Sequence, residues 1–140
     1  MTFLLDTNVV SELRKSDRVV DQSVRAWARA QRTGELWLSV ISVMEIEVGV
    51  ARLERRDPMR GKALRDWLER DVLGGFSGRI LSVDLHVARR AAALHVPDPR
   101  PERDTLIAAT ALQHNLVVVT RNVADFSAAG VALVNPWHPA

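Results

Sequence analysis

The residues best suited to chemistry stand at the start of the chain, where Asp6, Thr7 and Asn8 follow the apolar run Thr2 to Leu5. A short apolar run of this kind is the pattern of a strand buried on both faces of a parallel sheet. In open α/β sheets, ligand sites form beyond the carboxyl ends of the strands. A carboxylate, a hydroxyl and an amide placed there can hold a hard cation or a reacting phosphate. The same residue types also favour helix starts, so Asp6 has an equally simple reading as the cap of the next helix.

Three further acids fall at comparable places. Glu45 belongs to a helix beginning near Ser42, with Val43, Ile46, Val50 and Leu53 as its buried stripe. Ser42-Val43-Met44-Glu45 fits a capping box, which would make Glu45 structural. Gly49, one turn further on Glu45's own face, argues the other way. Glycine costs a helix interior about 1 kcal/mol against alanine, a cost tolerated where a backbone or ligand must come close. Asp104 introduces an apolar helix carrying Leu106, Ile107, Ala108, Ala111 and Leu112. The loop before it, 96–103, is stiffened by three alternating prolines. Thr120-Arg121-Asn122 closes the apolar run Leu116 to Val119 in the way Asp6-Thr7-Asn8 closes the first, and Asp125 follows one turn later.

The elements that must position these groups alternate in type. Strands are expected over Thr2–Leu5, Leu36–Val40, Arg79–Val83, Leu116–Val119 and Val131–Val134. Between them, helical spacing covers Val9–Leu13, Asp17–Gln31, the segment from Ser42, a stretch from Pro58 to Gly74-Gly75, and Asp84 to His95. In the last of these, Leu85, Ala88, Ala91 and Ala92 form the expected core face, with Asp84 as cap. Glu47 and Glu54 are expected to pair with Arg52, Arg55 and Arg56. His86 and His95 lack a second histidine at ligand spacing and belong to the surface or its edge. This alternation predicts one domain over 1–140, a three-layer α/β/α sandwich with a mostly parallel central sheet. Asp6 and Asn122 then leave strand ends while Glu45 and Asp104 open helices, all on one edge of the sheet. Acids gathered there repel one another without a cation. Mg²⁺, or Mn²⁺ in its place, suits such oxygen donors.

Composition narrows the classes. A chain of 140 residues supports one real core. The absence of cysteine removes disulfides, thiolate nucleophiles and zinc–sulfur sites, and fits a reducing cytoplasm. No stretch is long and apolar enough for a membrane span, and no basic-then-apolar opening suggests export. The net charge of +2 permits nucleic-acid binding without demonstrating it, although the positive charge is nearly all arginine, the better residue for phosphate forks. A phosphoacceptor aspartate of the receiver or dehalogenase type would need a lysine at a later strand end, and neither Lys15 nor Lys62 follows a strand.

The strings LLDTNVVSEL, SVISVMEIEVGVARLE, RDTLIAATALQHNLVVVTRNVADF and VNPW, in this order, closely resemble the PIN-domain nucleases, and among them the VapC and FitB toxins of bacterial toxin–antitoxin pairs. The resemblance runs from Phe3 to Trp137 and rests on four motifs with matching order and spacing. It implies an endoribonuclease dependent on Mg²⁺, toxic when free and silenced by a cognate antitoxin. The family's first three acids fall on Asp6, Glu45 and Asp104, and its opening asparagine on Asn8. Asp6 and Asp104 are the expected metal ligands. Glu45 or Asp125 would orient the attacking water, while Thr7, Asn8, Thr120 and Arg121 would position substrate or settle charge on the phosphate. The chain departs from the family at its fourth acidic position, which is Asn122. An amide can accept a hydrogen bond from a water beside the cation but brings no charge, so either Asp125 replaces it or one ion is held more tightly than a second. The implied partners are RNA, tRNA or another structured RNA among its candidates, the antitoxin, and a second copy of the chain. Operator DNA would be reached only through the antitoxin, whose basic residue, ideally an arginine, would compete with Mg²⁺ for the acidic groove. A dimer surface is expected around Trp27, Val48, Trp67 and Leu68. The alternative is a PIN-fold binding module that acts with an antitoxin on operator DNA and has little nuclease activity.

Overall fold

The apolar runs become five short strands in the computed structural model, which describes residues 1–139. They are β1 (Phe3–Leu5), β2 (Leu36–Ser39), β3 (Ile80–Leu81), β4 (Val117–Val119) and β5 (Leu133–Val134). All pair in parallel, in the order β3-β2-β1-β4-β5. The sheet is therefore wholly parallel, with β1 at its centre. Phe3 stands opposite both Leu36 and Val117, and Leu5 opposite Val119. The ladder extends one residue past β1, where the Asp6 N–H donates to the Val119 carbonyl at 2.9 Å. From β1 the chain moves first to β2 on one side and later to β4 on the other. The crevice between the ends of β1 and β4 is thus the topological switch point, where parallel sheets accommodate ligands.

Side-chain alternation along the strands sends apolar groups to both faces. Phe3, Leu5, Leu38 and Val119 share one core with Val9 and Val10 of α1 (Thr7–Leu13), Val24 of α2 (Gln22–Arg29), and Ile46 and Val50 of α3 (Val40–Arg56). Leu4 and Val118 point the other way, toward Ile107, Ala108 and Ala111 of α6 (Glu102–His114) and Phe126 of α7 (Val123–Ser127). Helices on both faces make the three layers expected. Among the described residues no helix is long and apolar enough to cross a membrane.

Several boundaries and partners differ from expectation. The second helix begins at Gln22 rather than Asp17, because the Asp21 side chain caps it by accepting the Val24 N–H at 3.1 Å. The stretch after Asp57 divides into α4 (Pro58–Trp67) and a π-helical segment over Leu68–Gly74. On α5 (Leu85–Leu94) the inward face is Val87, Ala91 and Leu94; Leu85 is 69% exposed, and Ala88 and Ala92 face outward. Glu47 and Glu54 pair not with the arginines of their own helix but with Arg65 of α4, whose guanidinium also approaches Glu69. That fork clamps α4 against α3. Gly61 makes the clamp possible, since a side chain there would run into the Glu54 backbone. Of the four residues expected to form a dimer surface, Leu68 is fully buried and Trp27 packs edge-on against Phe3 at 5.1 Å. Leu68 belongs to the core, whereas Trp27 and Trp67 pack against it while partly exposed, and Val48 is partly exposed too.

Candidate active site

Asp6 stands where β1 ends, and the first turn of α1 begins immediately after it. Its Oδ1 accepts the Thr7 N–H at 2.8 Å, so it does cap α1, in line with the simpler reading of the sequence. The cap leaves Oδ2 free for other partners. That oxygen accepts the Thr120 hydroxyl at 2.8 Å and the Asn8 amide at 3.3 Å. Thr120 is fully buried, and its Oγ1 in turn accepts the backbone N–H of Asn122 at 3.0 Å. Asn8 returns to the same network, accepting the Arg121 N–H at 3.4 Å. The ends of β1 and β4 are therefore laced together through polar side chains, and the rotamer of Asp6 is held from both sides.

Glu45 arrives from α3 and does not cap it. The helix starts at Val40, with Ser39 as cap accepting the Ile41 N–H at 3.0 Å, so the capping box at Ser42 is not formed. Glu45 instead accepts the Thr7 hydroxyl at 2.9 Å through Oε1, while Arg103 Nη1 lies 3.8 Å from Oε2. Apart from its chain neighbours and the backbone of its own helix, no described atom comes within 4 Å of where a Gly49 side chain would begin. The glycine borders instead a cleft of about 190 Å³ that Thr7, Ser11 and Glu45 also line. Its lack of a side chain thus leaves room beside Glu45.

Asp104 lies in the first turn of α6, which begins two residues earlier than the sequence suggests. Burial pushes its carboxyl up to about 6, and the charges of Asp6, Asp125 and Glu45 push the same way. Burial likewise raises Asp6 above the ordinary aspartate range; Thr120 and Thr7 oppose that rise, and Glu45 and Asp125 add to it. The four acids named from the sequence are thus near enough to act on one another. Among the described residues no group of three or more histidines and acids is gathered closely enough to hold a metal ion by itself. An open set suits Mg²⁺, which binds through one or two carboxylates and keeps positions for water and phosphate oxygens. The donors are all oxygen and, among the described residues, only Glu45 of the four acids pairs with a cationic side chain, so they fit a hard divalent cation.

These shifts fix a pH dependence. Asp104 binds its proton more tightly in the folded chain than in the unfolded one. The resulting stability is fully present below about pH 4 and is lost as pH rises through about 6. Asp104→Asn is therefore expected to stabilise the metal-free protein at pH 8 by about 1 kcal/mol, allowing for solvent screening, and to change little at pH 4. Thermal denaturation in a chelator at the two pH values checks this. An equal effect at both would rule out the charge argument.

Arg121, Asn122 and Asp125 are exposed at the rim. Arg121 lies over the Trp137 ring at 5.1 Å, which gives its guanidinium a fixed seat. Asn122 places its backbone in the network, and α7 opens without a side-chain cap from it. Two residues escape sequence reasoning. Glu12 is buried, 8% exposed, and accepts the Asp21 N–H at 2.8 Å and Lys15 Nζ at 2.9 Å; these contacts hold its carboxyl below the usual range. Nothing in Ser-Glu-Leu separates it from a solvated helix glutamate. Arg103 reads as the last residue of the proline-rich loop, although its place next to Asp104 is a usable signal.

Residues 3–131 match the family described as PIN domain. The chain is 39% identical to the VapC ribonuclease Y4jK of Sinorhizobium fredii, with 98% of this chain and 99% of that protein covered. It is 40% identical to Toxin FitB of Neisseria gonorrhoeae, with 96% and 98% covered. Among solved structures, FitAB bound to an IR36 DNA fragment superposes with a TM-score of 0.88 at 36% identity, covering 99% of this chain and 98% of that one.

Proposed function

This chain belongs to the PIN domain family, and from that premise we propose that it is a metal-dependent endoribonuclease, the toxin of a toxin–antitoxin pair. The observation that carries the reading is the network at the switch point of the sheet, where Thr7 bridges Asp6 and Glu45 and Thr120 holds Asp6, with Asp104 and Asp125 near enough to act on Asp6 or be acted on by it. The relatives named as a VapC ribonuclease and as Toxin FitB support it.

Asp6 and Asp104 would hold the ion, Mg²⁺ or Mn²⁺. Once bound, the ion supplies charge to the phosphodiester and makes an attacking water more acidic. The chain's own contribution is positioning. Thr120 and Asn8 orient Asp6, and Thr7 orients Glu45. Glu45, with its carboxylate at the cleft, would take the proton of the attacking water; Asp125 at the rim is the second candidate. Arg121, seated on Trp137, would meet negative charge on the phosphate. A cognate antitoxin bearing an arginine against these acids would silence the site, and the chain would act as a homodimer in the cytoplasm.

A second reading is favoured by one residue. Asn122 brings no charge to the fourth acidic position, which suits a module that holds an antitoxin on operator DNA and turns over little. The FitAB relative bound to DNA keeps this reading in view. The test is to purify the chain free of partner, add RNA with Mg²⁺ or Mn²⁺, and map the new ends. Cleavage that a chelator stops is the expected result. Intact RNA with both metals would leave the DNA-bound module as the better account.

A further inference from the structure

Both oxygens of Glu45 already have neighbours before any cation is considered. Oε1 accepts the Thr7 hydroxyl at 2.9 Å, and Oε2 faces the Arg103 guanidinium at 3.8 Å. The second contact is long, and the Arg103 side chain is 53% exposed. Such a pair contributes about 0–1 kcal/mol to stability, so it does little to hold the fold together. Its location is nonetheless narrowly set. Arg103 is the residue before Asp104, and the first turn of α6 fixes its backbone shortly after Pro101. Arg100, the nearest other arginine along this loop, is committed elsewhere: its Nε donates to the Leu94 carbonyl at 3.0 Å and its N–H to His95 Nδ1 at 3.1 Å. Arg103 is thus the guanidinium of this segment that reaches the acids and is free to leave them.

We propose that Arg103 is a positioning residue with two alternating partners: it neutralises Glu45 in the metal-free chain, and when a divalent cation meets the charge of the acids it turns to a phosphate of the bound RNA. The physical basis is competition for one carboxylate. A cation beside Glu45 removes the attraction that holds the guanidinium there, and the released fork matches two phosphate oxygens as an ammonium would not. Arg121 stands at the same rim on its Trp137 seat, so the substrate would meet one fixed and one movable guanidinium. This inference rests on the ribonuclease reading.

The test joins a binding cycle to steady-state kinetics. Mn²⁺ is titrated calorimetrically, without RNA, into the wild-type chain, Arg103→Ala, Glu45→Gln and the double variant. Arg103→Ala is expected to bind Mn²⁺ about three- to tenfold more tightly. That gain should vanish when Glu45 is already replaced by glutamine, because the competition runs through this carboxylate. Arg103→Lys keeps the charge and should bind Mn²⁺ like wild type. With a fluorescent single-stranded RNA oligonucleotide and Mg²⁺, Arg103→Ala should raise KM about tenfold with kcat nearly unchanged, and Arg103→Lys should recover only part of that loss. Unchanged Mn²⁺ affinity in Arg103→Ala, or a gain that persists beside Glu45→Gln, overturns competition at Glu45. An unchanged KM overturns the phosphate contact. Wild-type protein that cleaves no RNA sinks the ribonuclease reading and the phosphate contact together, and the calorimetric cycle still decides competition at Glu45.

Discussion

Asp6→Asn and Asp104→Asn are each expected to lower the rate of RNA cleavage by on the order of a thousandfold. Both should weaken Mg²⁺ or Mn²⁺ binding, and neither should unfold the chain. In Asp6→Asn the new amide keeps an oxygen to accept the Thr7 N–H, so the start of α1 survives, and the buried Thr120 hydroxyl still has a polar neighbour. The loss falls on charge rather than shape. Removing one negative group from this set relieves repulsion, since the neighbouring acids add to the burial that raises the pKa of Asp6 and of Asp104. Each variant should therefore melt at or above the wild-type temperature in chelator while binding metal poorly. Calorimetric titration checks the ligand assignment, and wild-type metal affinity in both variants would refute it.

Glu45→Gln separates shape from charge still more sharply. Glutamine keeps the Oε1 acceptor for Thr7 and gives up only the exposed pair with Arg103. Since Ser39 rather than Ser42 caps α3, no helix cap is lost either. The melting temperature should move by no more than about a degree or two, as suits a screened pair. The rate should fall by about a hundredfold or more if Glu45 takes a proton from the attacking water. Single-turnover cleavage at saturating RNA measures this directly. A Glu45→Gln chain as fast as wild type would leave Glu45 with a supporting role and shift attention to Asp125.

Much of this arrangement is legible in the sequence because strand ends are chemically marked. Leu5 gives way to Asp6, and Val119 to Thr120, at the points where the sheet stops and polar groups can find partners. The acids can be brought together from sequence alone because parallel strands all finish at one edge. What stays hidden depends on tertiary contact. Val40 and Ile41 are β-branched and continue the apolar run of β2, so the start of α3 looks later than it is. The π-helical turn at Leu68 keeps an apolar stripe that ordinary helical spacing also explains. Arg65 sits among charged and apolar neighbours, and only the packing of α4 on α3 tells it which glutamates to hold. Glu12 needs the position of Asp21, nine residues away, before its burial makes sense.

The bond between the Thr120 hydroxyl and Asp6 joins residues 114 positions apart. A ribosome adding about 5–20 residues per second makes residue 120 roughly 6 to 23 seconds after residue 6. Through that interval the emerging chain has its first acid but not the strand that orients it, nor Asp125 behind it. For most of its synthesis the chain therefore carries an unoriented Asp6, and the site can close only once Thr120 has been made and can reach it.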